Sequence, residues 1–193
     1  MKNVRVIVIA IVCICVICGG FYLFSQSLNS GNEDELSEIQ KVLVKDLEKD
    51  YPETPREVAK FYNRIVACYH DTNTTDEQVG KLVDQMMLLF DEDMIAKNPR
   101  DVYYSAVVSD IELYKQNNKV ITSMSVCDTN EVRYVTDDRN GDKLAFVDMD
   151  YFVNSDGKFT NSYITIGVRQ NEDGDWKIVG VTLREGESSE DDE

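Results

Sequence analysis

The hydrophobic pattern of this chain changes period once, from about 3.6 residues to about 2, and that switch limits the layers it can build. Up to Gln116 the apolar residues recur at helical spacing. One face carries Val58, Phe61, Tyr62, Ile65, Val66 and Tyr69, and a second Val79, Leu82, Val83, Met86 and Phe90. A third carries Tyr103, Ala106, Val107, Ile111 and Tyr114. Each set follows a start signal. Thr54-Pro55-Arg56-Glu57 offers a capping residue, a proline at the first helical position and a glutamate to close a capping box. Thr74-Thr75-Asp76-Glu77 and Asn98-Pro99-Arg100-Asp101 open the other two helices. From Lys119 the residues alternate, which predicts strands over Lys119–Cys127, Glu131–Asp137, Lys143–Val153, Phe159–Gln170 and Asp175–Arg184. Asn140-Gly141, Asp156-Gly157 and Asp173-Gly174 are hairpin turn signals, and such short connections force antiparallel neighbours. Helices first and a strand meander afterwards define an α+β fold.

A different pattern precedes this domain. Val4 to Phe24 is a run of 21 nearly all apolar residues without an acid, and about 20 suffice to span a bilayer's hydrocarbon core. Lys2 and Arg5 lie at its start and the first acid after it is Glu33, so the positive-inside rule leaves the N-terminus cytoplasmic. Gly19-Gly20 is a poor cleavage site because Phe21-Tyr22-Leu23-Phe24 continues the run, and neither Cys13 nor Cys18 follows small residues as a lipoprotein signal requires. The expected organisation is a cytoplasmic tail (1–3), an uncleaved transmembrane anchor (4–24), a stalk with an amphipathic helix (25–50), an extracytoplasmic domain (51–184) and an acidic disordered tail (185–193). Leu36, Ile39, Val42, Leu43 and Leu47 supply the apolar face of the stalk's helix, within Glu35–Asp50. The tail holds six acids in nine residues.

Charge narrows the partners. The whole chain carries a formal charge of -16, and beyond the hydrophobic run 18 basic residues face 36 acidic ones. Phosphate backbones need a basic face, so nucleic acid is excluded as a partner. Cys13, Cys15 and Cys18 belong to the anchor as small apolar residues, while Cys68 and Cys127 read as buried thiols of the domain.

The order of elements resembles the nuclear transport factor 2-like superfamily, which includes ketosteroid isomerase and SnoaL-type domains. The closing hairpin Asp173-Gly174-Asp175-Trp176-Lys177-Ile178 carries part of that resemblance, which covers roughly Tyr51 to Arg184. It implies N-terminal helices packed on a curved antiparallel sheet, the nuclear transport factor 2-like or cystatin-like arrangement. Tyr51 to Val58 (Tyr-Pro-Glu-Thr-Pro-Arg-Glu-Val) is also similar to a group of bacterial membrane-anchored proteins of unknown function.

Candidate chemistry is sparse. Asp110 falls in the middle of an apolar stripe, among Tyr103, Ala106, Val107 and Tyr114. An ionised, unpaired carboxylate buried there costs several kcal/mol, so it needs either a pocket role or hydrogen-bond partners. Asp148 and Asp150 share a strand face with Leu144, Phe146 and Phe152, a pattern that suits a solvated outer face. In ketosteroid isomerase-type enzymes a carboxylate works with a tyrosine, and the resemblance puts forward Asp150 with Tyr62 or Tyr104. The candidate pocket therefore comprises Asp110, Tyr62, Tyr103, Tyr114 and Asp150. His70, the one histidine, ends the first capped helix, where it suits the helix C-terminus. The acidic loops do not fit a calcium-binding EF-hand, since the first position falls on Thr136 or Arg169 instead of aspartate. No catalytic, cofactor or metal motif emerges.

The expectation is a non-enzymatic, membrane-tethered extracytoplasmic domain that binds a protein or small ligand at the cell surface. The alternatives are a scaffold in a cell-envelope or secretion complex, and a small isomerase or hydrolase using Asp110 or Asp150.

Overall fold

The computed structural model describes residues 36–184. The chain divides into two compact units, residues 1–41 and 42–193, and the hydrophobic run of residues 4–24 lies outside the described residues. Among the described residues no helix is long and apolar enough to cross a membrane. In chain order come α1 (Glu38–Val44), α2 (Pro55–Tyr69), α3 (Asp76–Leu89), α4 (Glu92–Lys97) and α5 (Arg100–Gln116). The strands β1 (Lys119–Val126), β2 (Arg133–Thr136), β3 (Lys143–Ser155), β4 (Lys158–Gln170) and β5 (Trp176–Arg184) follow. The fold is α+β, with helices packed on an antiparallel sheet.

The helix starts form as the local chemistry dictates. Thr54 accepts from the Glu57 N–H and the Glu57 carboxylate accepts in return from the Thr54 N–H, a closed capping box in front of α2. Thr75 and Gln78 repeat the arrangement at α3. The helix α4 was not anticipated. Asp91 caps it by accepting from the Asp93 N–H, and the Asn98 amide bonds back to the Met94 carbonyl instead of capping α5.

The strand order is β1-β3-β4-β5, with β2 pairing the first half of β3 and β1 the second. All named pairings are antiparallel. Asp156 and Gly157 join β3 to β4 with φ of 51° and 83°, the paired left-handed conformation of a type I′ hairpin turn, which glycine tolerates without strain. The second strand is shorter than its alternation suggests. Glu131 accepts from the Asp128 N–H and closes a 3-10 turn at Thr129–Glu131, which delays β2 to Arg133. The pairing shifts between Ile121 and Ser123 on β1 and between Gly167 and Val168 on β4.

The inner sheet face carries Ala145, Val147, Met149, Tyr151 and Val153 of β3 and Ile164, Ile166 and Val168 of β4, all buried. The helix α2 lies against β1, β3 and β5, and supplies Val58, Phe61, Ile65 and Tyr69 to the core. The Tyr151 hydroxyl donates to the buried Asn63 Oδ1 at 2.6 Å, fixing α2 to the middle of the sheet. The end of α3 is tied to β5 by the Asp91 N–H donating to the Ile178 carbonyl. By contrast, α5 buries only Val107 and Ile111.

Candidate functional site

The shallow seating of α5 leaves a cavity between α2, α5 and the sheet, about 450 Å³ in volume, within the roughly 300–1,000 Å³ common for small-ligand pockets. Helical spacing selects its walls. Tyr62, Val66 and Tyr69 come from one side of α2, and Tyr103, Val107, Asp110, Ile111 and Tyr114 from one side of α5. The sheet contributes Ile121, Tyr151, Ser162 and Ile164, with exposed Leu183 at the edge.

Four of the five residues expected to form a pocket therefore meet: Asp110, Tyr62, Tyr103 and Tyr114. Asp150 does not join them. Successive side chains of a strand point to opposite faces, so Tyr151 lines the cavity while Asp150 stands on the outer face, 3.6 Å from the Arg184 guanidinium. Its neighbour Asp148 accepts from Thr165 at 2.6 Å and from Arg133 at 3.2 Å on that same face. Asp110 is also less buried than its place in an apolar stripe implies. Its side chain is 56% exposed, because α5 rides at the domain's rim, so the desolvation cost expected for a buried carboxylate does not arise.

His70 is the residue the sequence undervalued. It ends α2 as expected, but its ring turns towards α5 and away from the helix carbonyls. Its Nε2 lies 3.3 Å from Asp110 Oδ2, and the ring packs on Tyr114 with centroids 4.1 Å apart. His70 and Asp110 lie 40 positions apart in the chain, so no local pattern announces the pair. Tyr69, Tyr151 and Ser162 were likewise not marked as pocket residues, although alternation along β3 makes Tyr151 an inward residue. Of the domain cysteines, Cys68 is buried, whereas Cys127 is only half-buried.

Burial sets the state of the tyrosines. It pushes the Tyr62 hydroxyl up to about 12, with the Asp110 charge adding to the effect. Burial first, and neighbouring tyrosines second, raise Tyr69, Tyr103 and Tyr151 further. Tyr114 is raised by burial and then by Asp110. All five remain neutral hydroxyls at physiological pH. Tyr69 and Tyr103 influence each other's ionisation, yet the Tyr69 hydroxyl closes no hydrogen bond of good geometry, and the buried His70 Nδ1 also lacks a partner. Buried polar atoms are seldom left so. Outside the cavity, exposed Lys119 holds its ammonium 5.7 Å from the Tyr114 ring centroid.

A cluster of ion pairs lies elsewhere, around Arg169. Arg169 grips buried Asp91 through Nη2 at 2.6 Å and Nε at 3.1 Å, and also reaches Asp93 at 2.9 Å and Asp142 at 3.4 Å.

Fold and site together define an α+β domain with a tyrosine-lined cavity between helices and sheet. The chain belongs to the family described as a domain of unknown function, DUF6715, whose model matches residues 1–181. No curated protein matches it.

Proposed function

We propose that this protein is a non-enzymatic binding module, tethered by the apolar run of residues 4–24, which presents its domain outside the cell membrane to a small ligand. The observation that carries this reading is the cavity itself: about 450 Å³, walled by Tyr62, Tyr103 and Tyr114, with Asp110 at its edge. Aromatic walls with a few convergent polar groups are the usual make-up of a small-molecule site. The helices on one sheet face and the two pairing shifts favour a nuclear transport factor 2-like arrangement, whose concave side offers such a site. The length of the apolar run and the two bases at its start favour the anchor and its orientation.

The test is native mass spectrometry and thermal-shift screening of the full-length chain in mild detergent. A co-purifying small molecule, or a stabilising compound whose effect is lost in Tyr103→Ala, supports the reading. A screen in which nothing is bound and nothing stabilises would overturn it.

A second reading, a small isomerase or hydrolase, is favoured by one contact. His70 beside Asp110 is a pair in which a carboxylate orients an imidazole for proton transfer. Turnover of a ligand found in the screen, abolished by His70→Gln with binding retained, would move the protein to that class.

A further inference from the structure

Building on the small-ligand reading above, we infer that the cavity selects an organic cation: an alkylated ammonium seated among tyrosine rings with Asp110 as its counter-charge. Two independent features of the lining point this way.

The first is charge. Among the described lining residues the one carboxylate is Asp110, and none is lysine or arginine. An anion entering this cavity would meet the Asp110 carboxylate, whose one basic neighbour in the lining is His70. The chain as a whole, at -16, adds a field of the same sign, which draws cations in and repels anions.

The second is the wall. Tyr62, Tyr69, Tyr103, Tyr114 and Tyr151 all line one space. Aromatic faces carry negative electrostatic potential and attract ammonium groups, and several rings around one space make the usual cage for quaternary or methylated amines. Outside the cavity, the Lys119 ammonium already lies 5.7 Å from the Tyr114 ring centroid, the kind of contact a bound ammonium would make with the other rings. A neutral apolar ligand would gain contact area here but nothing from Asp110.

The probe is choline, compared with its neutral isostere in which a tert-butyl group replaces the trimethylammonium. Both are titrated by calorimetry into the full-length chain in non-ionic detergent. Choline binds about tenfold more tightly than the isostere if rings and carboxylate recognise charge. Asp110→Asn, at a half-exposed position, weakens choline about fivefold and leaves the isostere unchanged. Tyr114→Leu, checked for folding by circular dichroism, weakens choline as well. Equal or tighter binding of the isostere would overturn the inference while leaving a ligand pocket intact. So would failure of both probes alongside a neutral ligand found by mass spectrometry. If neither probe binds and no compound stabilises the chain, both this inference and the ligand-binding reading fall.

Discussion

His70 Nε2 and Asp110 Oδ2, 3.3 Å apart, join the end of α2 to the middle of α5 across the mouth of the cavity. The helix α5 buries little else than Val107 and Ile111, so this contact and the His70–Tyr114 packing are among its few links to α2. The two partners differ in exposure, 10% for the His70 side chain and 56% for Asp110. That asymmetry separates what each does for the fold.

Asp110 is solvated, and exposed ion pairs contribute about 0–1 kcal/mol. Replacing it with Asn should shift unfolding stability by less than about 1 kcal/mol, read from the urea midpoint. Replacing His70 with Ala removes a buried ring that packs on Tyr114 and should cost about 2 kcal/mol. An Asp110→Asn loss larger than the His70→Ala loss would mean that the carboxylate supports the fold and does not simply edge the cavity.

The Tyr151–Asn63 hydrogen bond is buried at both ends and 2.6 Å long. Asn63→Leu strands the Tyr151 hydroxyl in the core, where an unsatisfied polar group costs about 1–3 kcal/mol. Tyr151→Phe in the same background should recover much of that loss, since the stranded group is then gone. A double-mutant cycle in urea measures the coupling. Additive losses would show that the bond contributes nothing beyond packing.

Much of this architecture was legible residue by residue. Thr54 with Glu57 announced the start of α2 because capping is local chemistry, and Asp156-Gly157 announced its turn because few residues accept positive φ. The stripe Tyr103, Val107, Asp110, Tyr114 marked one face of α5, and three of those four were named as pocket residues. What could not be read was which surfaces meet. Periodicity says that Asp110 shares a face with apolar residues, but not that α5 is seated too shallowly to bury it. The alternation of β3 separated Asp150 from Tyr151, yet which face turns inward depends on where α2 packs. The pairing of His70 with Asp110 is tertiary, and no spacing rule links an α2 cap to the middle of α5.

Arg169 holds Asp91 in a two-pronged grip on a carboxylate that is 9% exposed. The Asp91 hydrogen bonds, ahead of those from Asp93, hold the Arg169 guanidinium well above its ordinary range. Arg169→Met leaves Asp91 buried without its counter-charge and should cost about 3 kcal/mol. Because Asp91 also caps α4 and bonds to the β5 carbonyl of Ile178, the loss should appear first as faster amide exchange around residues 91–97. Uniform exchange across the domain would contradict that local origin.

The tyrosine cluster makes the domain sensitive to alkali, and the sign follows from where each hydroxyl ionises. An unfolded tyrosine loses its proton near pH 10, whereas Tyr62 in the fold holds it up to about 12. Between these values the unfolded chain has shed a proton that the native chain keeps, so raising the pH favours unfolding. The stabilisation from the neutral hydroxyl is complete below pH 10 and is lost as the pH climbs towards 12. Tyr69, Tyr103 and Tyr151 are shifted the same way by burial, so their contributions add and the loss should be steep. Tyrosinate absorbance and circular dichroism followed together should show the buried tyrosines ionising only as the fold melts, at a pH well above 10. Tyr103→Phe removes one such group and should move the alkaline midpoint upward. Ionisation of Tyr62, Tyr69, Tyr103 and Tyr151 near pH 10, with the fold intact, would show that these hydroxyls are solvated and that the cavity is open to water throughout.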